Sequence, residues 1–86
     1  MQKILQNVSL GENLQRIRKA NGMSQNDVAM KMQLRGRPIS RAHYANIEQG
    51  VRNLFVTDLV LLHEIFGVSY DEFFRGIQFE SCNIGN

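Results

Sequence analysis

The chain reads as an all-α fold of five helices, and three observations predict it. Apolar residues recur at helical spacing in five separate stretches, the repeat of a helix with one buried face. Each stretch has a Ser or Thr suited to an N-cap (Ser9, Ser24, Ser40, Thr57, Ser69), and Gly22, Gly50 and Gly67 stand where three of them should stop. The 86 residues are 43% hydrophobic and hold no repeat, low-complexity segment or second domain, which fits one domain with a small core.

Residues 1–8 carry weak periodicity (Ile4, Leu5, Val8) and read as an arm or an extra turn. The first helix is expected over residues 10–21, with a Ser9–Glu12 capping box, a buried stripe of Leu10, Leu14, Ile17 and Ala20, and Arg16 and Lys19 outside. The second is expected over 24–33, capped by Ser24 with Asp27 three residues on, and burying Val28, Ala29 and Met32. Gly36 and Pro38 break the helical pattern in residues 34–39. The third helix is expected over 40–49, capped by Ser40, burying Tyr44 and Ile47 and leaving Arg41, Ala42, His43, Ala45, Asn46 and Gln49 outside. Residues 51–56 read as a linker.

The fourth helix, 58–66 with Thr57 as its cap, is the most apolar and is expected at the centre of the core, with His63 as a satisfied core-edge residue. Val68 should plug the core. Ser69 and Glu72 suggest a capping box for a short fifth helix holding Phe73 and Phe74. Phe73, Phe74, Ile77 and Phe79 form a late apolar cluster, part of which should cap the core and part of which would serve as a dimer seam. From residue 76 the chain reads as a tail.

Charge is divided along the chain. Residues 1–57 carry nine Lys/Arg against three acids, and residues 58–86 one Arg against five acids, within a net charge of +2. A basic half beside an acidic half is expected where one face is turned to phosphate. No apolar run approaches the roughly 18 residues of a membrane span, and the first ten residues lack the continuous apolar region of a signal peptide. The single cysteine, Cys82, rules out an internal disulfide and fits a reducing compartment. His43 and His63 pair with neither Cys82 nor an acid at a recognisable spacing, and no metal-ligand cluster or nucleophile motif is present, so neither catalytic residues nor a metal or cofactor is expected.

Gln25, the Val28-Ala29 pair, Ile39-Ser40-Arg41 and the run Ile47-Glu48-Gln49-Gly50 resemble the helix-turn-helix of phage-repressor-like regulators, the Cro/C1 or XRE type. The resemblance covers residues 10–74 and departs in one place, where LRGRPIS lengthens a turn that usually has about three residues. It implies a lambda-repressor-like fold whose third helix enters the major groove of double-stranded DNA. Carried over residue by residue, it implies base reading by Arg41, Ala42 and Asn46, with His43 beside them reaching base or phosphate. Arg is suited to guanine and Asn to adenine. It implies phosphate contacts from Gln25 at a helix N-terminus and from Arg52 and Asn53 after the third helix. Arg35 and Arg37, in the lengthened turn, are expected to join them. It also implies a structural ion pair between Arg18 and Glu48.

The sequence therefore leads to a small cytoplasmic regulator of bacterial or phage origin, a repressor on a two-fold operator that a homodimer would occupy, with no membrane or small-molecule partner. The expected division is an arm at 1–8, the DNA-binding domain at 9–75 and a tail at 76–86. A protein-interaction module, such as an antitoxin covering its toxin, is the alternative, favoured by Ile77 and Phe79 in the tail.

Overall fold

A computed structural model describes residues 3–4 and 8–77 of the chain. It holds five helices, α1 (Val8–Ala20), α2 (Gln25–Leu34), α3 (Arg41–Glu48), α4 (Val56–Phe66) and α5 (Tyr70–Phe73), and two short strands, β1 (Lys3–Ile4) and β2 (Leu54–Phe55). The strands pair antiparallel, Lys3 opposite Phe55 and Ile4 opposite Leu54. The fold is thus mostly helical as expected, with one small addition. The supposed linker contributes a strand that pairs with the supposed arm, and it buries Leu54.

The core takes a stripe from every helix: Leu10, Leu14 and Ile17 from α1, Val28, Ala29 and Met32 from α2, Tyr44 and Ile47 from α3, Leu59, Leu62 and Phe66 from α4, and Phe73 from α5. Each fully buried aliphatic side chain contributes about 1.5–3 kcal/mol, enough to order helices too short to stand alone in water. Packing runs α1 on α3 and α5, and α2 on α3 and α4. Ala20 is exposed; Arg18 is the buried residue near that end of α1. Among the late apolar residues Phe73 is fully buried and caps the core, Phe74 is exposed and Ile77 is half-buried; Phe79 and Cys82 lie outside the described residues.

Local chemistry sets most helix ends. Ser24 Oγ accepts the Asp27 N–H at 3.0 Å while Ser24 N–H donates to the Asp27 carboxylate at 2.8 Å, a complete capping box on α2. These bonds, the Ser24 backbone first, hold the Asp27 carboxyl below its usual range. Ser40 Oγ accepts the His43 N–H at 3.0 Å and starts α3. Two helices begin otherwise than expected, and a third begins as expected without its capping box. α1 starts at Val8, so Ser9 lies inside its first turn and is no N-cap. α4 starts at Val56, because Asp58 accepts the Phe55 N–H at 3.1 Å and so places the cap two residues before Thr57. Ser69 caps α5 by position only, since Glu72 turns to Arg16 and Arg75 rather than back to it.

His63 Nδ1–H donates to the Val68 carbonyl at 2.6 Å, and its ring stacks on Tyr70 at 4.1 Å. The loop after α4 is thereby closed over the half-buried Val68. Among the described residues no helix is long and apolar enough to cross a membrane.

Two helices come into close contact at Gly11. A Cβ there would overlap the Glu48 carbonyl oxygen and lie 2.7 Å from its carbon, so α1 and the end of α3 meet backbone to backbone. This yields a test of sign. Helix propensity alone makes Gly11→Ala stabilising by about 1 kcal/mol, whereas overpacking against fixed backbone costs about 1–3 kcal/mol. We expect urea denaturation to show a net loss; a gain would contradict the contact.

Candidate nucleic-acid interface

A chain of polar contacts runs from the buried end of α3 to its exposed first turn. Glu48, the last residue of α3, is only 6% exposed. Its carboxylate accepts Arg18 Nε at 2.7 Å and Arg18 Nη2 at 3.2 Å, a bidentate pair reaching back to α1. Arg18 Nη1 also donates to the Met23 carbonyl at 2.9 Å. The hydrogen bond to Glu48 raises the Arg18 pKa despite the opposing effect of burial. The same Glu48 oxygen accepts Gln25 Nε2 at 3.1 Å, and Gln25 Oε1 in turn accepts Arg41 Nη1 at 3.4 Å. Tyr44 stands beside this pair, wholly buried, with its hydroxyl unpartnered and its pKa pushed up by burial and then by Glu48.

Of the base-reading candidates, Arg41 and Ala42 are exposed on the first turn of α3, while His43 and Asn46 are half-buried. Burial first, then the charges of Arg52 and Arg37, hold His43 below the usual imidazole range, with Asp58 opposing them. The Asn46 carbonyl accepts the N–H groups of Val51 at 3.0 Å and Arg52 at 3.3 Å. That terminates α3 and places the exposed Arg52 and half-buried Asn53 immediately after it. Gly50, at φ 79°, makes the turn; few residues other than glycine adopt that angle.

Residues 35–40 form a built connection between α2 and α3. Arg37 N–H donates to the Met32 carbonyl and Gly36 N–H to the Gln33 carbonyl, both at 3.0 Å, the paired bonds of a Schellman ending. Gln33 Nε2 donates to the Ile39 carbonyl at 2.6 Å, and Ile39 is buried. Arg35 is exposed. Arg37, expected to face phosphate, is engaged within the domain. Its guanidinium is held by Asp58, Nε to Oδ1 at 2.8 Å and Nη2 to Oδ2 at 3.4 Å, because a carboxylate that is 2% exposed requires a cation beside it. Sequence reasoning missed Asp58, Gln33 and Gly11. An Asp in the first turn of a helix was a visible signal for the first; nothing in the spacing marked the other two.

The geometry is therefore two helices joined by a lengthened turn, with a polar first turn on the second and basic loops to either side. The family model for helix-turn-helix proteins of the Cro/C1 type matches residues 14–73, from α1 to α5. The chain belongs to the Cro/C1-type helix-turn-helix family. No curated protein and no solved structure matches it. As a Cro/C1-type helix-turn-helix it is a DNA-binding module of a regulatory family, not of an enzyme family.

Two ion pairs of this Cro/C1-type domain differ in depth, and that difference is measurable. The side chains of Arg18 and Glu48 are 8% and 3% exposed, those of Arg16 and Glu72 41% and 40%. Glu48→Ala leaves a guanidinium buried without its partner and should cost about 3 kcal/mol in chemical denaturation. Glu72→Ala should cost less than about 1 kcal/mol. Equal losses would contradict the burial of the first pair.

Proposed function

We propose that this chain is a transcriptional regulator that binds double-stranded DNA sequence-specifically and acts as a repressor by occupying its operator. The observation that carries this is the split character of α3. One side, with Tyr44, Ile47 and Glu48, is buried, while Arg41 and Ala42 stand exposed at the end that would enter the major groove. In this reading Arg41 pairs with guanine, Asn46 with adenine, and Ala42 offers a methyl contact to thymine. Gln25, Arg35, Arg52 and Asn53 meet phosphates, Gln25 from the N-terminus of α2. A homodimer on a two-fold site would double the modest surface of one module. Residues 9–75 would form the DNA-binding unit, with 1–8 and 76–86 as accessory segments and a cytoplasmic location. An antitoxin-like role is the second reading, and Met30 and Leu34, exposed on α2 with Leu34 at 85%, favour it.

Reader and clamp separate in a binding experiment on sites selected from random duplexes. Arg41→Ala should lose about 1–3 kcal/mol on the best site and far less on scrambled DNA. Arg35→Ala and Arg52→Ala should weaken both about equally and flatten the log–log salt dependence by about 0.9 per lost phosphate contact. If no variant changes DNA binding, the regulator reading fails and the protein-interaction reading replaces it.

His43 adds a pH dependence of defined sign. In free protein its pKa lies below the ordinary imidazole value, so it is neutral at pH 7. Nearby phosphates would raise that pKa, so binding would take up a proton, and affinity would rise as pH falls through the raised pKa of the bound state. Affinity measured from pH 7.5 to 5.5 should therefore rise more steeply for wild type than for His43→Gln. Parallel profiles would place His43 away from the phosphates.

A further inference from the structure

α3 has eight residues, about 12 Å of helix. Its C-terminal end is fixed on α1 by the Arg18–Glu48 pair and the Gly11 contact. Its N-terminal end emerges from the lengthened turn, where Arg37 adds to the hold of the buried Ile39 and of the Gln33 bond to its carbonyl. Arg37 is separated from Arg41 by Pro38, Ile39 and Ser40 alone. Proline restricts the backbone at the first of these, burial holds the second, and the cap of α3 occupies the third. The guanidinium is gripped on two sides. Asp58 binds its edge through both carboxylate oxygens, and the Phe55 ring covers its face with the centroid 5.7 Å from Cζ. The same Asp58 oxygen that meets Arg37 Nη2 also accepts the Phe55 N–H that starts α4. A single buried carboxylate therefore ties the turn before α3 to β2 and to the first turn of α4.

We propose that Arg37, acting through Asp58, is a positioning residue that sets the entry angle of α3 and thereby its base preference, without contacting phosphate itself. The proposal rests on the reading of α3 as the helix that enters the groove. Lysine would keep the charge but lose the bidentate fork and the planar face on the ring. A phosphate clamp would tolerate that exchange, because it needs chiefly a positive charge; a strut of this geometry would not. Loss of stability alone would lower binding to every duplex equally, so the ratio between best and scrambled sites reports positioning specifically.

The full chain is compared with Arg37→Lys, Arg37→Gln and Asp58→Asn on its best selected duplex and on a scrambled one, over a series of salt concentrations. Amide hydrogen exchange at His43 and Tyr44 is followed without DNA. The expected result is a fall of about tenfold in the best-to-scrambled ratio for both Arg37 variants, an unchanged salt slope, and faster exchange at both amides. Asp58→Asn should share these effects; if it does not fold, Arg37→Lys carries the comparison. The proposal is overturned if Arg37→Gln flattens the salt slope by about 0.9 while Arg37→Lys restores it, with the ratio unchanged. If wild type prefers no duplex, the reading of α3 fails separately. Exchange then decides the anchor: faster exchange in Arg37→Gln supports it, and unchanged exchange overturns it.

Discussion

A negative charge buried at the C-terminal end of a helix is the constraint on which this fold turns. Glu48 sits where the helix dipole is already negative and where water is nearly excluded. It is tolerable only because Arg18 meets both of its oxygens and Gln25 adds a third donor. That requirement fixes three helices relative to one another. α1 supplies Arg18 and the bare backbone at Gly11, α2 supplies Gln25, and α3 cannot slide without breaking all of these contacts. Gln25 passes the arrangement outward to Arg41, so the side chain best suited to guanine is ordered by the same carboxylate.

The second buried acid, Asp58, does at the other end of α3 what Glu48 does at its own. Each is a carboxylate that must hold an arginine, and each arginine comes from a different element. The contrast in sequence charge between the two halves of the chain is therefore only partly a contrast of surfaces. Of the basic residues in the first half, Arg16, Arg18 and Arg37 are paired with Glu72, Glu48 and Asp58. The exposed charge flanking α3 reduces to Arg35, Arg41 and Arg52. A count of lysines and arginines overstates the free cationic surface because ion pairs within the domain consume part of it.

The helices were legible because their punctuation is strong. Ser24 with Asp27, Ser40, Gly50 and Gly67 act where they stand in the sequence. Legibility failed where a side chain had a better partner elsewhere. Thr57 lost the start of α4 to Asp58, and Glu72 was drawn from its cap by two arginines. The strand pair was invisible because two residues are too few to alternate, and β2 owes its place to the burial of Leu54. In the candidate site, Arg41 and Ala42 are exposed where the resemblance located them. The Arg37–Asp58 pair was not visible because a basic residue in a loop looks alike whether it faces solvent or a buried acid 21 residues away. Gly11 carried no signal at all, since a backbone contact across helices leaves no trace in periodicity.

The central claim is that the buried network exists to present the first turn of α3 to DNA. It is tested most directly by following backbone amide shifts while the chain is titrated with its selected duplex. The account predicts that the largest changes fall on residues 41–46, on Gln25, and on Arg52 and Asn53, with Glu64, Asp71 and Glu72 nearly unmoved. Changes concentrated on α4 and α5, with α3 silent, would contradict it.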